Sequence, residues 1–301
     1  MKDFGKDIRF YLLVAELIHR IRTGWNEKHW GITAERLEDI GDHAFLVAIL
    51  AIDLSKKTTL PVNTERVVTM AVLHDVAEVL LGDITPFDGI TPEQKKIMEH
   101  KAMEMMLEEL EDGNKYYAML LEFDEHKTPD AKFAYFCDKL QANLMSKWYQ
   151  DKGFQKDLAN QQNNVAFKSS KCQAAVENGA KTAFDVWYAC DYSLFEGDPL
   201  FTGIMDWIKN NDVTFTENDP IFTKYKQWLI DNNLSSPYVW NVLIFFWFIL
   251  VIQPKNLPKE KGVGICRLLF LSFANCHVHS KFKVFLCSIW CCGNSSIFCF
   301  G

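Results

Sequence analysis

The sequence has no surplus of positive charge. Its 301 residues carry 32 Lys and Arg against 39 Asp and Glu, a net charge of −7. That balance argues against a general binder of nucleic-acid polymers, which needs a basic surface. No Gly-rich phosphate loop of the P-loop or dinucleotide type occurs, and no Ser or Cys sits in a nucleophile signature. Alternating apolar and polar residues of the strand type are missing up to Ser236, as are internal repeats. The opening segment, MKDFGKDIRFYLLVAELIHRI, has early acids and no cleavage pattern, so it reads as an amphipathic helix rather than an export signal. Before position 237 there are only three cysteines, Cys137, Cys172 and Cys190. They are scattered, which points to a reducing, cytoplasmic setting without a disulfide framework.

What is present divides in two. Nearly half the residues are hydrophobic, enough for a sizeable core. Residues 1–236 are acidic and helical in pattern, and the expectation is one domain there, with a motif core at about 10–150 and a helical extension over 151–236. Residues 237–301 differ: they hold six of the nine cysteines and six Lys or Arg against one acid. Residues 238–252 form an apolar run broken only by Asn241, shorter than the roughly 20 residues that a membrane-spanning helix needs. The tail reads as a frameshift- or read-through-like extension outside the domain, as a hydrophobic appendage contacting a membrane, or as a Cys/His metal segment without recognisable spacing.

Helical spacing predicts a first helix over residues 6–21, with Ile8, Tyr11, Leu12, Ala15, Ile18 and Ile21 inward. A polar loop with two Trp follows. A strongly apolar helix is expected over 39–54, and a third over 64–81 with Thr64 as cap and Gly82 as stop. Pro92 opens a fourth to about Glu111, whose Met-rich, charged pattern reads as an amphipathic face and a candidate homodimer surface. Residues 115–126 and 129–150 give a fifth and a sixth. Residues 151–180 are ambiguous, and two Asp-Pro openings start later helices. The fold class is all-α.

Four polar residues interrupt these apolar helices: His43, the adjacent His74 and Asp75, and Asp138. Singly, each reads as a satisfied core histidine or a capping aspartate. Together, two imidazoles and two carboxylates suit one divalent ion such as Mn, Fe, Co, Ni, Zn or Mg. Glu78, four residues after His74, shares its helix face. Adjacent helical residues point about 100° apart, so His74 and Asp75 reach one ion only where helices meet.

His43, then His74-Asp75, then Asp138 matches the H…HD…D pattern of the HD-domain metal-dependent phosphohydrolases. Within that superfamily, RTGW, EDIGDH, HDVAEVLLGDITP and DAKFAYFCDKLQA resemble the 5'-deoxynucleotidase group. The resemblance implies an all-α HD-domain helical bundle with one metal between the second, third and sixth helices. It implies His43, His74, Asp75 and Asp138 as ligands, Glu78 as acid/base or water-orienting carboxylate, and Asp83 reaching the reaction centre. Arg22 would meet phosphate and Trp25 would pack on the sugar. The implied reaction is hydrolysis of a (deoxy)nucleoside 5'-monophosphate to nucleoside and phosphate. Two other readings stay open: a related hydrolase of nucleoside triphosphates or cyclic nucleotides, and a non-catalytic nucleotide sensor. Thr23 and Gly24 separate Arg22 from Trp25, where some members have them adjacent, and Asp39 and Ile40 replace the commoner Ser and Val.

Overall fold

The computed structural model describes residues 5–234 apart from residues 27, 86, 109 and 217. The expectations for residues 237–301 lie outside the described residues. Two compact units divide the chain, Met1–Phe215 and Thr216–Gly301. In the first unit α1 spans Gly5–Ala15, α2 Ile40–Leu54, α3 Thr64–Leu73, α4 Glu78–Leu81 and α5 Pro92–Leu107. Then come α6 over Gly113–Glu125, α7 Pro129–Asp151, α8 Ser170–Glu177, α9 Ala183–Asp191 and α10 Pro199–Asn210. The second unit contains α11, Pro220–Asp231. Among the described residues there is no strand, only one isolated bridge between Ile21 and Asp39. No helix there is long and apolar enough to cross a membrane. The described residues are all-α, as the periodicity of the sequence indicates.

The helix starts follow local chemistry. Asp39 caps α2 by accepting from the Asp42 amide, and Thr91 with Gln94 forms a capping box ahead of Pro92. Thr128 caps α7 in front of Pro129. Asn63, not Thr64, caps α3, its side chain accepting from the Arg66 amide. Asp198 caps α10 as its Asp-Pro pair suggests, whereas the Asp219 side chain makes no cap bond to α11 and accepts from Thr216 instead. The ambiguous stretch after α7 consists of short 3-10 turns and α8.

Two helices differ from expectation in ways that matter. The first does not run to Ile21: α1 ends at Ala15 and tightens into a 3-10 turn, Glu16–His19. Its inward face is Phe10, Leu13, Val14 and Leu17, while Ile8, Tyr11, Leu12, Ile18 and Ile21 are exposed. The segment carries two apolar stripes, and periodicity alone does not choose between them. The third helix stops at Leu73. Residues 74–77 form tight turns, with the Val76 amide on Leu73 O at 3.1 Å and the Glu78 amide on Asp75 O at 3.0 Å. Short α4 then follows. Gly82 ends α4, as expected, in a conformation with φ +75° and ψ 167°.

The core sits where α2, α3 and α7 pack on one another. Val47, Ala51, Val67, Met70, Phe133 and Leu140 fill it, and Phe195, Phe201 and Met205 extend it toward α10. Burying each large side chain stabilises by about 1.5–3 kcal/mol. Small residues Ala71, Ala131 and Ala134, fully buried, let the helices approach closely. A second cluster joins Leu17, Ile40, Val76 and Val79 to α5 and α6, and a third gathers Trp25, Trp30 and Tyr149 against α8 and α9.

The φ and ψ of Gly82 lie in a region open essentially to glycine. A Cβ there would meet nothing within 4 Å, so Gly82→Ala isolates the backbone cost. The expected loss is about 1–3 kcal/mol, read as a lower urea midpoint. An unchanged midpoint would show that residues 82–83 relax freely.

Candidate metal centre

Four donor atoms meet between α2, α7 and the break after α3. His43 lies one turn into α2 and is fully buried. His74 closes α3, its amide still bonded to Met70 O at 2.9 Å, while Asp75 begins the turn. Asp138 projects from the middle of α7. His43 Nε2 lies 3.3 Å from His74 Nε2, 3.5 Å from Asp75 Oδ2 and 3.2 Å from Asp138 Oδ1. His74 Nε2 lies 3.1 Å from Asp75 Oδ2 and 3.9 Å from Asp138 Oδ1. The break after Leu73 is what brings two adjacent residues to one point. The first three form a group able to hold a metal ion, and Asp138 adjoins both imidazoles.

The donor set fits a divalent metal. Atoms bound to one ion at about 2.0–2.2 Å sit roughly 3 Å apart, close to the spacings found. His74 Nδ1 is 2.9 Å from Ala71 O, which can only accept. Nδ1 therefore carries hydrogen, and in the neutral ring Nε2 turns a lone pair to the centre. Two imidazole nitrogens and two carboxylate oxygens face one another, and with both rings neutral the arrangement calls for a cation.

The surrounding charges act in opposite directions. Burial opposes ionisation of Asp75, but His74, His43 and Arg22 outweigh it and hold its pKa well below the usual range. Burial likewise opposes Asp138, and Lys139, 2.8 Å away, leads the groups that hold it low. Glu78 goes the other way: burial, then the charges of Asp75 and Asp83, push its pKa well above the ordinary value against Arg22 and Lys95. Its Oε2 is buried with no hydrogen-bond partner among the described residues. Lys95 Nζ donates to Ile84 O and stands 3.9 Å from Glu78 Oε1.

Arg22 Nη1 lies 3.3 Å from Asp75 Oδ2, so the guanidinium borders the four donors. Asp83 does not point freely into the centre. Its Oδ2 accepts from the Thr23 amide at 2.6 Å, and the Thr23 hydroxyl lies 2.9 Å from Asp83 O. The carboxylate thus anchors the loop bearing Arg22. Trp25 is buried, stacked on Trp187 at 5.3 Å and edge-on to Tyr149 at 5.2 Å, with Nε1 donating to Glu38. Sequence reasoning passed over Glu38, Gln141, Lys95 and Lys139. Two of these left a signal: Glu38 opens the EDIGDH segment, and Gln141 follows Asp138 by three residues on one helix face.

The sequence profile of the HD domain family matches residues 14–178. The mouse protein named 5'-deoxynucleotidase HDDC2 is 32% identical over 146 residues, covering 48% of this chain and 70% of that protein. The Schizosaccharomyces pombe 5'-deoxynucleotidase hdd1 is 34% identical over 145 residues, covering 46% and 70%. A crystal structure of a predicted metal-dependent phosphohydrolase from Magnetospirillum magnetotacticum superposes with a TM-score of 0.49 at 19% identity, covering 70% of this chain and 92% of that one.

The metal-free site gives a signed pH dependence. Burial opposes the charge on His74, but Asp75 and Asp138 outweigh it and raise its pKa above 6.5. Its stabilising contribution is full below the unfolded value and is lost as pH rises through the folded one. Asp75 and Asp138, with lowered values, contribute above about pH 3.8 and lose it only in acid. A metal held by His74 would compete with its proton, so binding would strengthen over the interval where the metal-free chain weakens. The gap in Tm between Mn²⁺-saturated and chelator-treated protein is expected to widen from about pH 6 to about pH 8. A gap that narrows would contradict the assignment of His74 to the metal.

Proposed function

We propose that this chain, which belongs to the HD domain family and to its 5'-deoxynucleotidase branch, hydrolyses (deoxy)nucleoside 5'-monophosphates to nucleoside and phosphate. The observation that carries the reading is the meeting of His43, His74, Asp75 and Asp138 beside Arg22 and the partnerless Glu78 oxygen. In this reading the first four hold one divalent ion, with Mn, Co, Mg, Fe, Ni and Zn all compatible with the donors. When bound, such an ion polarises phosphoryl oxygens and acidifies water.

The chain's own groups do the rest. Arg22 has the fork geometry for two parallel hydrogen bonds to phosphate, and its pairing with Asp75 aims it at the metal's edge. Glu78 takes the proton from the attacking water, a task suited to a carboxylate whose proton affinity is raised by burial and by the charges of Asp75 and Asp83. Lys95, 3.9 Å from Glu78 Oε1, favours the carboxylate form that accepts that proton. Asp83 keeps the Arg22 loop in register through Thr23. Trp25, one turn after Arg22, borders the sugar. Its buried ring supports a wall that closes the sugar side rather than an open stacking platform.

The test is phosphate release by the full chain, stripped of metal and reloaded with Mn²⁺, Co²⁺, Mg²⁺ or Zn²⁺, on dAMP, AMP, TMP, ATP and a cyclic nucleotide. Release from the 5'-monophosphates, the deoxy forms foremost, is expected. Release from ATP or the cyclic nucleotide alone would replace the substrate class, and none with any metal would favour a sensor. Glu78→Gln should lower kcat by about 10²–10⁴-fold with metal affinity kept. Wild-type kcat in that variant would remove Glu78 as the base.

The same reading takes the chain as a cytoplasmic homodimer whose contact uses α5, where Ile97, Met98 and Met105 are exposed. Light scattering at micromolar concentration is expected to give twice the chain mass, and a monomer would count against that face.

A further inference from the structure

Glu38 lies just ahead of α2 and is buried, 4% exposed, with its amide donating to the Tyr149 hydroxyl oxygen at 2.9 Å. Its Oε2 accepts from Trp25 Nε1 at 2.9 Å and stands 3.9 Å from Arg22 Nε. Its Oε1 accepts from Gln141 Nε2 at 2.5 Å. Gln141, also buried, presents its other end to His43, Oε1 lying 2.5 Å from Nδ1. One carboxylate thus touches both residues expected on the substrate side and, through one amide, a residue of the metal set.

The order of donors along this chain is forced. A carboxylate has no hydrogen to give, so Gln141 must turn its NH₂ toward Glu38. Its carbonyl oxygen then faces His43, and a carbonyl only accepts. Nδ1 of His43 therefore carries the hydrogen, and Nε2 turns its lone pair to Asp75, Asp138 and His74. His74 has its hydrogen fixed by the local carbonyl of Ala71, three residues back. For His43 the corresponding acceptor is remote: its tautomer is set 98 residues away in sequence, at Gln141.

We propose that Glu38 is a positioning residue: acting through Gln141 it holds His43 as the Nδ1–H tautomer competent to bind a metal, and through Trp25 and Arg22 it fixes the substrate side to the same carboxylate. The inference rests on the metal reading above. It gives the buried acid a purpose beyond packing, because a neutral isostere would fill the same space and reverse the relay. In Glu38→Gln the new amide must keep its oxygen toward Trp25 Nε1, which only donates. Its NH₂ then faces Gln141, which turns over and offers its own NH₂ to His43 Nδ1. The His43 hydrogen moves to Nε2 and points at the metal position. Adding Gln141→Glu reverses this, since a carboxylate at position 141 accepts from the new amide at position 38 and from His43 Nδ1 alike.

The experiment compares wild type, Glu38→Gln and the double variant Glu38→Gln/Gln141→Glu. Zn²⁺ affinity is measured by calorimetry, and the hydrogen on His43 is located by ¹⁵N NMR of the metal-free chain at about pH 8, above the ordinary imidazole range. The single variant should bind Zn²⁺ about 10–100-fold more weakly, with the His43 hydrogen on Nε2. The double variant should return toward wild type in both readouts, a rescue that a mere packing role would not produce. Wild-type affinity with hydrogen on Nδ1 in Glu38→Gln overturns the proposal, as does a double variant no better than the single. If wild type binds no Zn²⁺, the metal reading fails separately, and the NMR comparison alone decides the relay.

Discussion

Two imidazole nitrogens and two carboxylate oxygens converge inside the packing of α2, α3 and α7, and the rest of the unit is arranged around that convergence. Acceptors at 3.1–3.9 Å in a buried place repel unless a cation lies among them. The structure tempers the cost at the rim. Arg22 flanks Asp75 and Lys139 flanks Asp138, so each carboxylate keeps one positive neighbour outside the donor set. The helices stay close because Ala71, Ala131 and Ala134 are small and fully buried in their packing.

Neighbouring carboxylates in this one region are driven apart by their surroundings. Asp75 and Asp138 face imidazoles and cations, which hold them charged. Glu78 is buried and lies near the charges of Asp75 and Asp83, which together favour its proton. The difference is one of neighbours and not of residue type, and under the proposed function it would separate the groups that hold a cation from the one that moves a proton.

His43, His74, Asp75 and Asp138 were legible because each is a polar break in an apolar helix, and their spacing matches a known family pattern. The helix starts at Pro92, Pro129 and Pro199 were legible because capping is local chemistry. The break after Leu73 was not: no Gly or Pro occurs between Thr64 and Leu81, so nothing local stops the helix there. The inward stripe of α1 was misread because that helix is apolar on two sides, and the choice is made by what packs against it. Glu38 and Gln141 escaped notice for the same reason. Their bond joins residues 103 positions apart, and neither shows its partner in its own neighbourhood of sequence.

Arg22 is held by Asp75 on one side and lies near Glu38 on the other, so under the proposed function anion recognition and ion retention would draw on the same two acids. Sites that share groups in this way are thermodynamically linked, and linkage runs both ways. If an occupied centre draws Asp75 toward the ion, Arg22 is freed for an incoming phosphate, and the phosphate must then tighten the hold on the ion by the same factor. On that reading the protein would gather its metal most strongly when nucleotide is abundant and release it when nucleotide runs out. Its loaded fraction would then follow the supply of what it consumes, without a separate regulatory site.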